Sequence, residues 1–381
     1  MLTLRQKIEQ EIRGRGPIPF SRYMELCLYD PEHGYYSRNA EQFGKAGDFY
    51  TSSDVHKVFG RLLARQFDEM WRTLGSPEHI DLIELGPGRG LFAQDVLDWS
   101  EKKFPDFFQA LRYVLVESSP VLRQRIEKNL GSRLESGKAE LAASYPAKDA
   151  SSADTIVFAN EFFDALPVEI LSAKGSLRID ASNGRFIETW TQASPEELDF
   201  LDRYAVHPEA YERIEAPLAA QQFTNRIAAS IQRGFFTAID YGYTREEQLA
   251  GRHRGTLKAI RKHSISADPY EAPGEQDITA DVNFTALAAA AEKQGMQAHK
   301  LVTQSQFLMG IGEANQFADA FEECRLPQEH AKVALQLKHL VTPAGMGESF
   351  QVLIASKGVK QENVASLAGL SFGRDAARKM R

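Results

Sequence analysis

Cysteine, surplus positive charge and long apolar runs are all scarce in this chain of 381 residues. It has two cysteines, Cys27 and Cys324, which fits a reducing compartment and gives no spacing typical of a metal site. No apolar run approaches the length that crosses a membrane. We therefore predict neither a bound metal nor a membrane segment.

The charge balance argues against the basic surface on which nucleic-acid binding depends. The 45 basic and 52 acidic residues give a net charge of −7, and the densest basic run, residues 252–263, has acidic neighbours. With 43% hydrophobic and 25% charged residues, the composition is ordinary for a soluble globular protein. We expect no nucleic-acid partner, and the sequence carries no signal for an oligomeric state.

The first 16 residues, MLTLRQKIEQEIRGRG, are charged and amphipathic. They contain no apolar core of signal-peptide length. Their basic residues would suit a transit peptide, but Glu9 and Glu11 lie among them, and such peptides are poor in acidic residues. We therefore expect a cytoplasmic protein of bacterial origin.

The stretch Ile80–Leu91, IDLIELGPGRGL, is the strongest local signal in the chain. Its mostly apolar residues, ending in Glu84, predict a buried parallel strand. Gly86, Gly88 and Gly90 stand at alternate positions and predict a tight turn that lets a ligand approach the backbone. The next residues, LFAQDVLDW, predict a helix that begins directly after the turn. Strand, turn and helix N-terminus together are typical of a nucleotide-binding unit.

The spacing of these glycines indicates which nucleotide fits. A dinucleotide fingerprint, G-x-G-x-x-G, needs its third glycine at position 91, where the chain has Leu91. The observed pattern, acidic–apolar–G-x-G-x-G, is the one that class I S-adenosylmethionine (SAM) methyltransferases use. SAM carries no phosphate, so the turn need admit only its methionine part and ribose edge. A glycine turn without any ligand is the alternative, and the motif alone does not decide between the two.

A second strand that ends in a carboxylate supports the SAM site. Leu111–Glu117, LRYVLVE, predicts an apolar strand that ends 33 residues after Glu84. A carboxylate at that position can accept hydrogen bonds from both ribose hydroxyls. Alternatively, Glu117 is a favourable acidic residue ahead of the helix that begins at Pro120. The two roles are compatible, and we favour ribose binding.

The stretch Asp154–Asn160, DTIVFAN, predicts a further strand of the same sheet. Glu161-Phe162-Phe163-Asp164 follows it directly. In open parallel sheets ligands bind beyond the carboxyl ends of the strands. We therefore expect the polar residues at this strand end to lie over the binding site.

Helix signals precede these strands. Thr3 can cap a helix that runs to about Arg13, and Ser21 can cap a second helix, RYMELCLY. From Val55 to Leu74 apolar residues recur at helical spacing, which predicts a long amphipathic helix. These elements would form an N-terminal helical segment.

The residues just before the long helix, 43–53, are polar and glycine-rich. We predict that Gly47–Ser53, including Thr51 and Ser52, closes over the cofactor, because loops of small polar residues with glycine hinges suit a lid. The alternative is that Ser52 or its neighbour is only the N-cap of the long helix.

Assembled, these stretches resemble the MidA-like family of SAM-dependent methyltransferases. The resemblance covers nearly the whole chain, from Gly16 to Leu353, in the segments GPIPFSRYMELCLYDPEHGYYS, GDFYTSSDV, ELGPGRG, ANEFFDALPVE, DYGY, QDITADVNF and MGESFQVL. It implies an α/β, Rossmann-like class I SAM-methyltransferase fold: a seven-stranded sheet whose last strand is antiparallel, with insertions. The mitochondrial member of the family is a protein-arginine methyltransferase that assists assembly of respiratory complex I. A protein-arginine substrate is therefore the implied acceptor.

We expect an N-terminal helical or lid segment, a methyltransferase domain with insertions, and a mobile tail. Their predicted bounds are 1–75 for the first segment, 76–357 for the domain, near 167–215, 244–284 and 304–345 for the insertions, and 358–381 for the tail. The basic loop of the second insertion is similar to a variable region of the family, so we give its residues less weight as candidates for the functional site. We assign SAM binding to Glu84, Gly86, Pro87, Gly88, Gly90, Glu117, Ser118, Asn160, Thr51 and Ser52.

Arginine methylation would explain the acidic residues after the strand 154–160. A pair of carboxylates can hold the guanidinium fork, orient one nitrogen and localise positive charge away from it. Glu161 and Asp164 are the pair that we predict to be catalytic. The alternative is that Asp164 caps a short turn before Pro167 and that Glu161 lies behind the residues that contact substrate.

Three functional hypotheses follow. The first is a SAM-dependent protein-arginine methyltransferase, and the second is a methyltransferase for a small molecule or another protein side chain. The third is a non-enzymatic assembly factor that keeps the SAM-binding fold. Intact glycines and two acidic strand ends argue against the third, because a protein that only binds a partner need not keep them. A wide acidic groove would favour a peptide substrate over a small molecule.

Overall fold

The computed structural model of the protein describes residues 2–38, 57–145, 154–261, 264–266, 268–313 and 315–372. The predicted lid, Gly47–Ser53, lies outside the described residues, and so do its cofactor-binding candidates Thr51 and Ser52. In the described part of the chain, no helix is long and apolar enough to cross a membrane.

The strands of the described chain fall into three sheets. In chain order they are β1 (Ile18–Pro19), β2 (Ile80–Leu85), β3 (Leu111–Val116), β4 (Ala139–Ala142), β5 (Asp154–Asn160), β6 (Glu169–Ser172), β7 (Gly175–Ser182), β8 (Arg185–Thr191), β9 (Ile214–Ala216), β10 (Gly234–Tyr243), β11 (Lys258–Arg261), β12 (Ser264–Ser266), β13 (Asp277–Thr279), β14 (Val282–Asn283), β15 (Gln297–Ala298), β16 (Val302–Thr303) and β17 (Phe350–Lys357).

Helices flank the largest sheet and connect its strands. The α-helices are α1 (Leu4–Arg15), α2 (Phe20–Tyr29), α3 (Lys57–Thr73), α4 (Leu91–Lys103), α5 (Pro105–Ala110), α6 (Pro120–Glu135), α7 (Pro195–Tyr204), α8 (Leu218–Ser230), α9 (Arg245–Leu249), α10 (Phe284–Lys293), α11 (Gln304–Glu313), α12 (Ala318–Phe321), α13 (Pro327–Val341), α14 (Gln361–Ala365) and α15 (Ala368–Ser371). A short 3-10 helix covers Tyr35–Ser37.

The largest sheet has nine strands in the described chain, in the order β15-β17-β10-β5-β2-β3-β4, with β14 beside β10 and β16 beside β17. The neighbours from β10 to β4 are parallel, and β17 is antiparallel to β10. The predicted number of seven strands is corrected to nine. At one edge two short strands, β15 and β16, both pair with β17, and β14 adds a short pair beside β10.

Two helical layers cover this sheet. On one face α3 and α4 pack against β5, where Phe158 stacks on Phe92 with ring centroids 4.8 Å apart and meets Phe67 edge to face at 5.4 Å. Burial of one such phenylalanine stabilises the fold by about 2–3 kcal/mol. On the other face α8 and α10 contribute Ile227 and Leu287. Both faces of the central strands are therefore buried, which leaves the carboxyl ends of β2, β5 and β10 as the open edge.

The N-terminal helices α1 and α2 pack against a second sheet, which consists of β1, β6, β7, β8 and β9. The cap predicted at Thr3 is present, and it is part of a capping box: the Thr3 hydroxyl accepts a hydrogen bond from the Gln6 N–H, and the Gln6 side chain accepts one from the Thr3 N–H. The prediction for Ser21 was wrong. The second helix begins at Phe20, so Ser21 lies inside it and its hydroxyl donates to Glu169 on β6.

The C-terminal segment differs from the predicted mobile tail. Residues 358–372 include α14 and α15, and Val364, Leu367 and Leu370 are all buried. The side chain of Gln66 on α3 accepts the Gly369 N–H at 2.9 Å. The apolar residues of this segment recur every third position, so one side of it can pack against α3. Residues 373–381 lie outside the described part.

Candidate active site

A pocket of about 660 Å³ opens at the carboxyl ends of β2, β3 and β5. Its walls are the glycine turn after β2, the turn after β5 and the segment that leads from β11 to β14. The predicted site residues that line it are Glu84, Gly86, Pro87, Gly88, Glu117, Ser118, Asn160, Glu161 and Asp164. The fold therefore gathers most of the candidate residues at one edge of the sheet.

Gly90 is not among the residues that line this pocket, and its contact with the cofactor stays a prediction. It is the N-cap of α4, with a φ of +74°. A Cβ at this position would lie 3.1 Å from the Leu130 side chain and 3.4 Å from that of Ile126. Glycine is required here by the left-handed backbone and by the close packing of α6.

Gly86 and Gly88 form the part of the turn that faces the pocket. Their φ angles are +63° and +54°, in the left-handed region that side chains other than glycine rarely adopt. A Cβ on Gly86 would lie 2.9 Å from the ring of Phe162, so the turn after β2 packs directly on the turn after β5. The two turns therefore form a single continuous wall.

Glu84 stands at the end of β2 and is buried. Its carboxylate accepts a hydrogen bond of 2.8 Å from the Tyr113 hydroxyl on β3. Burial raises the pKa of Glu84 to about 8, and the negative charge of nearby Glu117 adds to this, while the tyrosine hydrogen bond opposes it. A cationic ligand in the pocket would stabilise the ionised form of this carboxylate.

Glu117 immediately follows β3, and its side chain is also buried. One carboxylate oxygen accepts the Ser119 N–H at 2.8 Å, which fixes the side chain in direction. Burial raises the pKa of Glu117 to about 7, against the opposing effect of backbone N–H groups that include those of Ser119 and Gly88. The carboxylate is thus held beside the glycine turn.

The turn after β5 has an unusual backbone at Glu161, whose φ is +50°. Its N–H donates to the Ile239 carbonyl at 3.0 Å, and its carboxylate accepts from the Asn160 side chain at 3.1 Å. A non-glycine residue in this region costs energy and persists only where the surroundings hold it in place. The strain aims Glu161 away from the continuing line of the strand and into the pocket.

Asp240 on β10 holds this turn, and sequence reasoning missed that role. It is fully buried, and one carboxylate oxygen accepts the N–H groups of Phe162, Phe163 and Asp164 at 3.1, 2.9 and 3.3 Å. The other oxygen accepts the Tyr241 N–H at 2.9 Å. An aspartate near the end of the neighbouring strand was the available signal, but its partners lie more than 70 positions away in the chain.

Replacing Asp240 with Asn should therefore disturb the turn after β5, although the two side chains have almost the same size. Both oxygens of Asp240 face N–H donors, so the new amide NH2 would have no acceptor. We expect a loss of about 1–3 kcal/mol of unfolding free energy, measured by urea titration. Asp199→Asn on the exposed side of α7 is the matched control and should be neutral. Equal stability of Asp240→Asn and the parent would contradict the assigned role.

Residues of the far wall come from the N-terminal segment and from the predicted variable insertion. The Tyr36 hydroxyl donates to the buried Asp277 at 2.9 Å, and the Tyr36 carbonyl accepts from the Ser119 hydroxyl at 2.7 Å. Tyr29 stacks against Tyr36 with ring centroids 5.6 Å apart. Lys258, Asp277 and Asp281, from the predicted variable insertion 244–284, also line the pocket and were not among the predicted site residues.

The pocket is acidic. Its lining has six carboxyl groups, from Glu84, Glu117, Glu161, Asp164, Asp277 and Asp281, against three cationic groups, from Arg89, Arg226 and Lys258. Burial raises the pKa of Asp164 to about 7, and the negative charge of Asp281 raises it further, while Lys258 opposes the shift. Such a pocket favours a positively charged ligand over an anion. The described residues include no group of three or more His, Cys, Asp or Glu side chains that could hold a metal ion.

Comparison with known proteins shows similarity to SAM-dependent methyltransferases. Residues 62–302 match the model of a family described as "Putative S-adenosyl-L-methionine-dependent methyltransferase". The chain is 30% identical to the Drosophila melanogaster protein arginine methyltransferase NDUFAF7 homolog, mitochondrial, over 94% of this chain and 85% of that protein. It is 26% identical to the human protein arginine methyltransferase NDUFAF7, mitochondrial, over 89% of this chain and 80% of that protein.

Solved structures show the same architecture. A crystal structure from Burkholderia thailandensis with bound S-adenosyl-homocysteine is 28% identical, with a TM-score of 0.81 over 97% of this chain and 94% of that chain. A native crystal structure from the same organism is 27% identical, with a TM-score of 0.79. The similarity extends over all three sheets, because nearly all of each chain is covered.

Proposed function

The chain belongs to a family of SAM-dependent methyltransferases, and from that premise we propose that it transfers the methyl group of SAM to an arginine side chain of a protein. The observation that carries the proposal is the pair Glu161 and Asp164, which share one turn beside the glycine turn and line the same acidic pocket. The names of the relatives at about 30% identity agree with this acceptor.

The residues of the pocket fit SAM. Left-handed Gly86 and Gly88 leave room for the methionine part to approach the backbone, and the carboxylate of Glu117 can accept both ribose hydroxyls. Bound there, SAM supplies a methyl group on a positively charged sulfur for in-line displacement. The acidic residues at the strand ends suit that positive charge. The residues around it then have to align the acceptor nitrogen and exclude water.

Glu161 and Asp164 are proposed to do the aligning. A guanidinium offers two parallel N–H groups to a carboxylate, so a carboxylate fixes its direction as well as its distance. Two carboxylates also hold positive charge on the nitrogens that do not react. The attacking nitrogen forms a bond to the methyl carbon as the carbon–sulfur bond breaks, and it gives up one proton. We assign acceptance of that proton to Asp164, because it lines the same pocket and burial raises its pKa to about 7.

Glu117 gives the proposed cofactor site a pH dependence. Its pKa in the free protein is raised to about 7 by burial, and its ionised form is the better acceptor for two hydroxyls. Protonation at lower pH therefore competes with binding. We expect the affinity for S-adenosyl-homocysteine to fall by up to about tenfold for each pH unit below 7 and to level off above it.

Titration calorimetry across this pH range tests the expectation. Glu117→Gln cannot ionise, so its affinity should be weaker at high pH and nearly independent of pH. A parent profile that does not change between about pH 6 and pH 8, or one that Glu117→Gln shares, would remove Glu117 from the ribose site.

The acceptor is tested by the chemical identity of the product. The protein is incubated with isotopically labelled SAM and cell lysate, and the labelled protein is hydrolysed to amino acids. We expect the label in methylated arginine. Label in a small molecule or in another side chain would replace arginine as the acceptor. Tight SAM binding with no transfer to any species would favour an assembly factor that only binds the cofactor.

A further inference from the structure

The far wall of the pocket contains a cation that is already paired. Lys258 on β11 donates from Nζ to the Asp281 carboxylate at 2.9 Å, and both residues line the pocket. The same Nζ lies 5.8 Å from the centroid of the Tyr241 ring. A carboxylate and an aromatic face can bind a guanidinium as well as an ammonium, so the groups around Lys258 could also bind an arginine side chain.

Asp281 is the fixed partner of this pair. Its second carboxylate oxygen lies 3.2 Å from His253 Nδ1, and its N–H donates to the Thr256 hydroxyl at 3.1 Å. Its side chain is 15% exposed, against 40% for Lys258. Lysine is a flexible chain with a single point charge, so it can leave while the carboxylate stays in position.

This pair lies close to Glu161 and Asp164, the carboxylates proposed to hold the acceptor guanidinium. The residue before Asp281 donates its N–H to the Asp164 carbonyl at 3.0 Å, so the segment that carries Asp281 contacts the turn that carries Asp164. The charges of Asp281 and Lys258 also shift the pKa of Asp164 in opposite directions. The pKa of Tyr241 is raised by burial and then by the carboxyl groups of Glu161 and Asp164. Lys258 therefore occupies the same end of the pocket as the groups assigned to the substrate guanidinium.

We propose that Lys258 is an internal competitor for the acceptor arginine, which pairs with Asp281 until the incoming guanidinium takes its place. The inference rests on the proposed function, because it takes the acceptor to be arginine. Without a cation, Asp164 and Asp281 would repel each other in a half-buried pocket, and Lys258 relieves that repulsion. A guanidinium can bind both oxygens of a carboxylate, which an ammonium cannot do equally well, so arginine displaces the lysine where a neutral side chain would not.

Two substitutions of Lys258 with opposite expected effects on peptide binding test the competition. The measurement is equilibrium binding of a Gly-Arg-Gly peptide to the full chain saturated with S-adenosyl-homocysteine. Lys258→Met should tighten binding of the peptide about fivefold, the size expected for release of a half-exposed ion pair. Lys258→Arg should weaken it, because a bidentate competitor is harder to displace. A lysine that only stabilises the fold would not produce effects of opposite sign.

Arg226→Met is the matched control. Arg226 also lines the pocket, but its guanidinium lies over the Phe223 ring at 4.6 Å, so its loss changes the net charge equally without releasing Asp281. It should change peptide affinity less than Lys258→Met does. In the double variant Lys258→Met/Asp281→Asn the gain should disappear, because the carboxylate that Lys258 releases is gone.

Each outcome decides for or against the competition. The competition is overturned if Lys258→Met binds the peptide no more tightly than the parent, or if Arg226→Met gains as much affinity. It is also overturned if neither the parent nor Lys258→Met binds the peptide. The outcome is separable from the proposed reaction, because binding needs no methyl transfer. Methylarginine formation without a gain in Lys258→Met would refute the competition alone, and the gain without methylarginine would refute the proposed reaction alone.

Discussion

Glu161→Gln should keep its affinity for SAM and lose most of its methyl transfer. The substitution preserves the size of the side chain and the acceptor for the Asn160 amide, but it removes the charge and one oxygen of the guanidinium clamp. Displacement at the methyl carbon requires the attacking nitrogen to be fixed in distance and direction. We expect turnover to fall by about 100-fold or more, because a misplacement of about 1 Å can have that effect. Asp164→Asn should lose turnover in the same way.

The decisive measurement pairs SAM titration with methyl incorporation for both variants. Loss of transfer with unchanged SAM affinity indicates lost stabilisation of the transition state. Glu140→Gln is the matched control, since it makes the same chemical change on β4 at an exposed side chain, and it should behave like the parent. If both pocket variants methylate at the parent rate, the carboxylate clamp is wrong. If both lose SAM binding, Glu161 and Asp164 belong to the cofactor site.

Gly88→Val should abolish SAM binding in a protein that still folds. Gly88 lines the pocket on the turn where we propose that the ligand approaches the backbone, and a branched side chain would occupy that space. We expect affinity to fall by at least about 100-fold, equivalent to about 3 kcal/mol. Calorimetric titration with SAM measures the loss, and tight binding of NAD by the parent would independently contradict the cofactor assignment.

Backbone strain is a separate consequence of this substitution and needs its own control. The φ of Gly88 is +54°, and a left-handed conformation costs other residues about 1–2 kcal/mol. Gly137 has a φ of +70°, and among the described residues no atom beyond its chain neighbours lies within 4 Å of the place that a Cβ would occupy. Gly137→Val therefore carries comparable strain away from the pocket, and it should lose stability but keep its SAM affinity. A folded Gly88→Val variant with parental affinity would refute the assignment.

Local chemistry explains which predictions from sequence were confirmed. The strands that end near Glu84, Glu117 and Asn160 formed as predicted, because continuous apolar runs are buried on both faces of a parallel sheet. The cap at Thr3 was also confirmed, since its hydrogen bonds join residues only three positions apart. SAM as the cofactor follows from the family, and the glycine spacing had already indicated it. The roles of individual site residues stay predictions.

Other features depended on the register between distant strands. Asp240 reaches the turn after β5 because β5 and β10 are parallel neighbours, with Ile239 opposite Asn160. No local pattern distinguishes that aspartate from one that only ends a strand. The same holds for Tyr36, whose hydroxyl reaches Asp277 across 241 positions of the chain.

The sequence by itself determined the glycine turn and the acidic strand ends, because each is encoded in a few adjacent residues with few accessible conformations. It also indicated the methyltransferase family, through segments spread along the chain. Only the tertiary structure decided that Gly90 supports helix packing, that residues 358–372 dock on α3, and that Lys258 lies among the carboxylates of the pocket. These contacts depend on which surfaces the packed sheet and helices bring within hydrogen-bonding reach. Such distances are set by the whole fold rather than by the neighbours of a residue in the chain.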